Sequence, residues 1–198
     1  IALTTNGSLL ATQASALREA GLSYVTVSLD SLRPQRYSEI CGRDGLESAL
    51  RGIEAALACG LPVKVNAVLL RKQTESELFD FVDFADRMDI PVRFIETMPF
   101  PGNDWRLDDC LLTEEAKSIL RSKYSLESIP RRCASETSES FHIAGKRGTI
   151  GFIASVSMPF CDRCSRMRLT ADGFLRPCLH GKNEVDLKPA RLPGDDEQ

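Results

Sequence analysis

Val63-Lys64-Val65-Asn66-Ala67-Val68-Leu69-Leu70 opens the stretch that decides the fold. It is a short, mostly apolar run of β-favouring residues, and its length suits a strand better than a helix. In the residues that follow, 75–88, Leu78, Phe79, Val82 and Ala85 recur at helical spacing. A second β-like run then spans 92–98. Two strands joined by a single helix lie parallel, because the crossover returns the chain to the end where it started.

The same rhythm extends towards the start of the chain. Residues 1–3 read as a short strand that ends in the turn-like Thr4-Thr5-Asn6-Gly7. Leu9, Leu10, Leu17 and Ala20 follow at helical spacing, with Gly21 as a stop. Residues 24–29 alternate, Val25, Val27 and Leu29 facing one way and Thr26, Ser28 and Asp30 the other. A helix over 46–58 carries Leu50, Ile53 and Leu57. Four parallel strands joined by three helices predict an α/β fold, half or more of a parallel sheet or barrel. Polar residues mark the strand ends: Thr5-Asn6-Gly7, Ser28 and Asp30, Lys64 and Asn66, and Glu96-Thr97-Met98. Each alone reads as a loop polar group or a cap. Together they fall on one rim, where parallel sheets place their ligands.

Composition narrows the function classes. The chain has 198 residues, with 25 Lys and Arg against 28 Asp and Glu. That slight acidity argues against a non-specific nucleic-acid binder, which needs a phosphate-neutralising surplus. There is no apolar run of about 18 residues to span a membrane, and no basic-then-apolar leader opens the sequence. A chain of this length can bury roughly 70% of its unfolded surface, enough for a proper core.

After Pro99 the pattern changes. Thr113 is expected to cap a helix whose first turn holds Glu114 and Glu115. Residues 125–140, rich in Ser, Glu and Arg, read as an exposed mobile loop, followed by β-like runs at 141–143 and 149–156. Leu169-Thr170-Ala171-Asp172-Gly173-Phe174-Leu175 reads as a hairpin, with Asp172-Gly173 supplying positive φ angles. The division expected is 1–100 for the β/α part and 101–198 for a β- and loop-rich C-terminal module. The polar close, Pro193-Gly194-Asp195-Asp196-Glu197-Gln198, has no anchoring element.

Seven scattered cysteines do not make a disulfide framework. Cys41, Cys59 and Cys110 read as structural or surface thiols. Cys161-x-x-Cys164 precedes the hairpin and Cys178 ends it, so the hairpin can return the third thiol to the first two and build a metal centre. Zinc would want a fourth ligand, for which His180 and Cys133 are available. A 4Fe–4S cluster held by three cysteines would leave one iron open. Spacing alone leaves zinc and iron both standing. Arg166 and Arg168, read on a β-like segment, point to one side beside the cysteines. They are either a solvated basic pair or a fork for phosphate or carboxylate oxygens.

These strings, with Val27-Ser28-Leu29-Asp30-Ser31-Leu32, Gly42-Arg43-Asp44 and Arg93-Phe94-Ile95-Glu96-Thr97-Met98-Pro99, resemble the radical SAM family of GTP 3′,8-cyclases, the molybdenum cofactor biosynthesis protein A family. The likeness runs in order from residue 1 to about residue 188 and closes on Cys161-x-x-Cys164-x-Arg166-x-Arg168, Asp172-Gly173 and Cys178-Leu179. It implies a partial, incomplete radical SAM-type β/α barrel with a C-terminal iron–sulfur module. It further implies that Thr4, Ser28 and Met98 contact S-adenosylmethionine, and that Lys64, Arg166 and Arg168 contact GTP. Cys161, Cys164 and Cys178 would hold a 4Fe–4S cluster whose open iron takes the guanine, with His180 a bystander. No side chain is assigned a catalytic role.

The chemistry implied by the resemblance is cyclisation of GTP to (8S)-3′,8-cyclo-7,8-dihydroguanosine 5′-triphosphate by a 5′-deoxyadenosyl radical. The protein orients two nucleosides and shields the radical. Implied partners are an electron donor, the cyclic pyranopterin monophosphate synthase downstream and a second copy of the chain. The implied location is the cytoplasm, or the mitochondrial matrix in a eukaryote.

The family's CxxxCxxC motif, which holds the radical-generating 4Fe–4S cluster, does not occur in these 198 residues. Neither does the glycine-rich motif that follows it, nor the double-glycine terminus. The sequence therefore reads as a fragment that starts at the third strand of a six-strand barrel and is inactive alone. Two other readings stay open: a truncated homologue that binds GTP or a partner without turnover, and an unrelated α/β domain with a structural zinc site.

Overall fold

β1 (Ala2–Thr5), β2 (Tyr24–Ser28), β3 (Val63–Leu69) and β4 (Pro91–Glu96) lie side by side and parallel in the computed structural model, which describes residues 1–72, 74–100, 102–181 and 183–188. The polar close of the chain lies outside the described residues. Between these strands run α1 (Leu10–Glu19), α2 (Pro34–Cys41), α3 (Leu46–Ala58) and α4 (Leu78–Met88). Next come α5 (Thr113–Arg121), β5 (Leu126–Ile129), β6 (Glu139–Ile143) and β7 (Thr149–Ile153). β7 pairs parallel to β4, and β6 and β5 extend the sheet antiparallel, giving the order β1-β2-β3-β4-β7-β6-β5. This is the mixed α/β, parallel-dominated fold that the strand–helix rhythm predicts.

Strand alternation gives the sheet two different faces. Val25, Val27, Val65, Val92, Phe94 and Phe152 are buried on one. There Phe81 of α4 meets Phe94 edge-on at 5.6 Å, and Phe94 lies 5.7 Å from Phe152. The alternate residues, Thr4, Thr26, Lys64, Asn66 and Arg93, share the opposite, polar face. The register sets Thr4 beside Thr26 and Thr26 beside Lys64, with Ser28, Asn66 and Arg93 in the next row.

Several local expectations need correction. Two helices, not one, connect β2 to β3. Pro34 sits at the start of α2, where its missing N–H costs nothing, and Gly42 closes the helix in the left-handed region. Tyr37 is its one buried residue, which explains why no apolar periodicity announced it. Residues 125–140 are not all loop, since they contain β5 and the start of β6. Thr113 is not a cap but the first helical residue of α5. The free N–H groups there are taken by carboxylates instead: Leu112 donates to Glu115 at 2.9 Å and Thr113 to Glu96 at 2.9 Å.

Residues Cys161–Gln198 form a second compact unit, separate from Ile1–Phe160. A short 3₁₀ turn over Cys161–Arg163 leads to β8 (Arg168–Leu169), β9 (Phe174–Arg176) and β10 (Val185–Asp186), an antiparallel sheet in the order β10-β9-β8. The expected hairpin is present, but only Gly173 takes a positive φ, of 86°. Its loop has four residues, closed by Gly173 N–H to Thr170 at 3.0 Å and by Thr170 N–H to Phe174 at 2.9 Å. Asp172 therefore need not take a positive φ.

One close approach sets the position of the strand-end loop after β1. A Cβ on Gly52 of α3 would lie 2.6 Å from the Gly7 carbonyl oxygen and 3.0 Å from Leu10 Cβ. Gly52→Ala is expected to destabilise the protein by about 1–3 kcal/mol through overpacking, read as a fall in the urea midpoint. An unchanged midpoint would mean that the helix and loop separate freely. Among the described residues, no helix is long and apolar enough to cross a membrane.

Candidate functional site

The polar residues at the strand ends divide into two groups by what they touch. Asp30 accepts the Val68 N–H at 2.8 Å and ties the end of β2 to β3; burial pushes its carboxyl up, against the pull of that hydrogen bond. Glu96 is 1% exposed and accepts from Thr113, Val156 and Ser157. Thr97 donates to the Leu69 carbonyl at 2.9 Å. These are structural ties. Thr4, Ser28 and Lys64 make no side-chain hydrogen bond among the described residues. Thr4 and Ser28 are exposed and Lys64 is half-buried, all three on the polar face.

Lys64 is restrained by the face of Tyr24, 4.4 Å from the ring centroid. Burial lowers its ammonium pKa, and the charges of Arg93 and Arg132 lower it further. Arg93 donates from Nε to Asn66 Oδ1 at 2.9 Å, and burial lowers its pKa also. A cavity of about 270 Å³ opens over these two cations, its walls including Arg132, Glu136, Ser140 and His142. Sequence reasoning assigned no role to Arg93, although a charged residue alternating with buried Val92 and Phe94 must face away from the helices. Met98 is half-buried just past β4. Its carbonyl accepts from Asn103 Nδ2 at 3.1 Å, which folds the following segment back.

The loop after β1 is held by its own side chains. Thr5 Oγ1 accepts the Gly7 N–H at 3.2 Å, and Asn6 Oδ1 accepts from Ser8 N–H at 3.1 Å and Ser8 Oγ at 2.9 Å. Gly7 takes φ 78°, a conformation natural for glycine.

In the second unit, Cys161, Cys164 and Cys178 are free and exposed. The Cys164 N–H donates to the Cys161 carbonyl at 3.1 Å, closing the CxxC turn. Arg168 pairs with Arg176 and Leu169 with Leu175, so the β8–β9 hairpin lies between Cys164 and Cys178 in the chain. Arg166 lies outside β8, so only Arg168 of the pair is on a strand. Hydrogen bonds from Arg166 hold the Cys164 thiol below its ordinary pKa. The His180 N–H donates to Cys178 Sγ at 3.4 Å. Among the described residues, no three Cys, His, Asp or Glu side chains are gathered as a finished ligand set. The other cysteines have local roles: Cys110 is buried and donates to the Arg106 carbonyl at 3.3 Å, and Cys59 donates to Ala56 at 3.2 Å.

A parallel-dominated sheet with helices on its apolar face is a mixed α/β fold consistent with a partial radical SAM-type β/α fold. The Radical SAM superfamily model matches residues 1–85. The Molybdenum Cofactor Synthesis C model matches residues 90–198, more than half of the chain, and the chain belongs to that family. Among curated relatives, the GTP 3′,8-cyclase of Moorella thermoacetica is 43% identical over 189 residues, covering 95% of this chain and 58% of the relative. Molybdenum cofactor biosynthesis protein 1 of Bos taurus is 42% identical over 200 residues, covering all of this chain and 31% of the relative. The GTP 3′,8-cyclase of Listeria monocytogenes is 40% identical over 192 residues, again with 58% of the relative covered. The chain thus spans between about a third and three-fifths of the length of these relatives.

Proposed function

We propose that this chain is the substrate-binding half of a GTP 3′,8-cyclase acting in molybdenum cofactor biosynthesis. The observation that carries this is three free, exposed cysteines on either side of the β8–β9 hairpin, Cys161 and Cys164 before it and Cys178 after it. Three free thiols are a soft donor set suited to an iron–sulfur cluster, and the family and its relatives argue for iron over zinc. Cys161, Cys164 and Cys178 hold a 4Fe–4S cluster in this reading, and Arg166 and Arg168 bind GTP beside it. When bound, that cluster supplies an open iron for the guanine, and S-adenosylmethionine supplies the radical.

The chain's own residues bind and orient. Lys64, on the polar sheet face, neutralises phosphate charge, and Thr4, Ser28 and Met98 at the strand ends contact S-adenosylmethionine. That these three side chains are not consumed by structural ties, unlike Asp30 and Glu96, supports the assignment. The radical-generating cluster belongs to a CxxxCxxC motif that these residues do not contain. An electron donor, the cyclic pyranopterin monophosphate synthase and a second copy of the chain complete the partners. The proposed setting is the cytoplasm, or the mitochondrial matrix in a eukaryote.

Anaerobic reconstitution with iron and sulfide, followed by reduction and EPR with and without GTP, tests the reading. A 4Fe–4S signal that shifts on adding GTP is expected. A colourless protein holding one tight zinc would replace the cyclase reading with a structural zinc module.

A further inference from the structure

Met98 stands between two peptide groups whose carbonyls are both held by side chains from further along the chain. The Thr97 carbonyl accepts the Trp105 indole N–H at 2.8 Å, and the Met98 carbonyl accepts from Asn103 Nδ2 at 3.1 Å. Pro99 follows, so the second of these peptides has no N–H, and the proline ring disfavours the helical region for Met98. A peptide unit is planar, so holding the plane on each side of a residue fixes both of its backbone angles. The direction in which the Met98 side chain leaves the backbone is fixed with them.

The two donors stand on an anchored frame. Thr97 Oγ1 donates to the Leu69 carbonyl at 2.9 Å, which ties the start of this turn to the end of β3. Cys110, downstream of Trp105, is 1% exposed and forms an antiparallel bridge with Leu70. Next to it, the Asp109 carbonyl accepts the Arg71 N–H at 3.0 Å. Asn103 closes its own turn as well. Its Oδ1 accepts the Phe100 N–H at 2.8 Å, and its backbone N–H donates to the Phe100 carbonyl at 3.2 Å. Only one orientation of the amide satisfies both partners, because Phe100 offers a donor and Met98 an acceptor. The oxygen shapes the turn and the nitrogen holds Met98.

We propose that Asn103 and Trp105 are positioning residues that hold Met98 in one conformation for S-adenosylmethionine. The ligand rests on the Met98 contact proposed above; the hold on the backbone does not. A thioether on an unbranched side chain packs well against an aromatic ring such as adenine, but that flexibility must be given up on binding. A backbone fixed beforehand lessens the ordering that the ligand has to impose.

Asn103→Asp and Trp105→Phe each remove one donor and keep the shape. Aspartate retains the acceptor for the Phe100 N–H but sets an oxygen against the Met98 carbonyl. Phenylalanine retains a ring without the indole N–H. Asn103 is exposed, so Asn103→Asp should keep the wild-type urea midpoint. The first readout is ¹⁵N relaxation of the chain without ligand. The Met98 amide is expected to be as rigid as β4 in the wild type and to fall to an order parameter below about 0.6 in either variant. The second is titration with S-adenosylmethionine of protein carrying ¹³C at its methionine methyls. Met98 is expected to shift while Met88, Met158 and Met167 serve as internal controls, and each variant should bind about threefold to tenfold more weakly. An equally rigid Met98 amide in both variants would overturn the proposal, and so would unchanged affinity beside a loosened amide. A Met98 methyl that ignores the ligand in the wild type, with its amide rigid there and loosened in the variants, would instead remove the S-adenosylmethionine contact and leave the hold on the backbone.

Discussion

Glu96→Ala is expected to cost about 3–5 kcal/mol of stability, the largest effect of any single substitution in the sheet unit. The carboxylate gathers three segments that are distant in sequence. Oε1 accepts from Thr113 N–H at 2.9 Å and Ser157 Oγ at 2.5 Å. Oε2 accepts from Val156 and Ser157 N–H, both at 2.8 Å. Truncation leaves three backbone donors without their acceptor, each worth about 1–3 kcal/mol when buried and unsatisfied. Against a total stability of roughly 5–15 kcal/mol, that is a fall of about 10 °C in Tm for a domain of this size.

The same residue gives a pH signature. Burial alone would raise the Glu96 pKa, but the hydrogen bonds from Ser157, Thr113 and Val156 outweigh it and hold it below 4.5. A carboxyl depressed in the folded state contributes stability above its unfolded pKa, and that stability is lost as pH falls through the folded value. Wild-type stability should therefore decline below about pH 4.5. Glu96→Gln, which has no carboxyl to titrate, should show a lower but flatter profile in urea melts across that range. A Glu96→Gln profile parallel to wild type would assign the acid sensitivity to other carboxylates.

What was legible in the sequence follows from where side chains are forced to alternate. β2 and β3 are central strands with one apolar and one polar face, so Val25, Val27, Val63 and Val65 announced them. β5 is an edge strand with Glu127 and Ser128 exposed in succession; one neighbour imposes too little burial to write a pattern. α2 escaped because one buried tyrosine makes no period. Glu96 looked like a rim residue, since the backbone donors that claim it come from residues 113, 156 and 157. Arg132 escaped for the same reason: its neighbours Lys64 and Arg93 are remote in sequence, and nothing local marks one exposed arginine as the wall of a cavity. The hairpin between Cys164 and Cys178 was legible because its turn is local. A CxxC turn, a hairpin and a third cysteine lie within 18 residues, from Cys161 to Cys178.

That locality makes the second large effect a sharp one. Cys164→Ser is expected to abolish cluster assembly, reducing iron and sulfide content after reconstitution to background. Serine keeps the volume and the capacity to donate but offers no thiolate, and iron–sulfur ligation depends on the thiolate. Cys161→Ser and Cys178→Ser should behave alike, because a three-ligand cluster has no spare donor. The thiols are exposed and outside any core, so loss of iron cannot be attributed to a collapsed hydrophobic interior. Cys133→Ser supplies the contrast. Cys133 is equally exposed, but among the described residues its sulfur meets only Ser135 Oγ at 3.4 Å, and its replacement should leave iron content at the wild-type level. Full iron in Cys164→Ser would refute the ligand assignment. Loss of metal in both Cys133→Ser and the triad variants would instead point to a four-cysteine site, leaving no iron open for a guanine base.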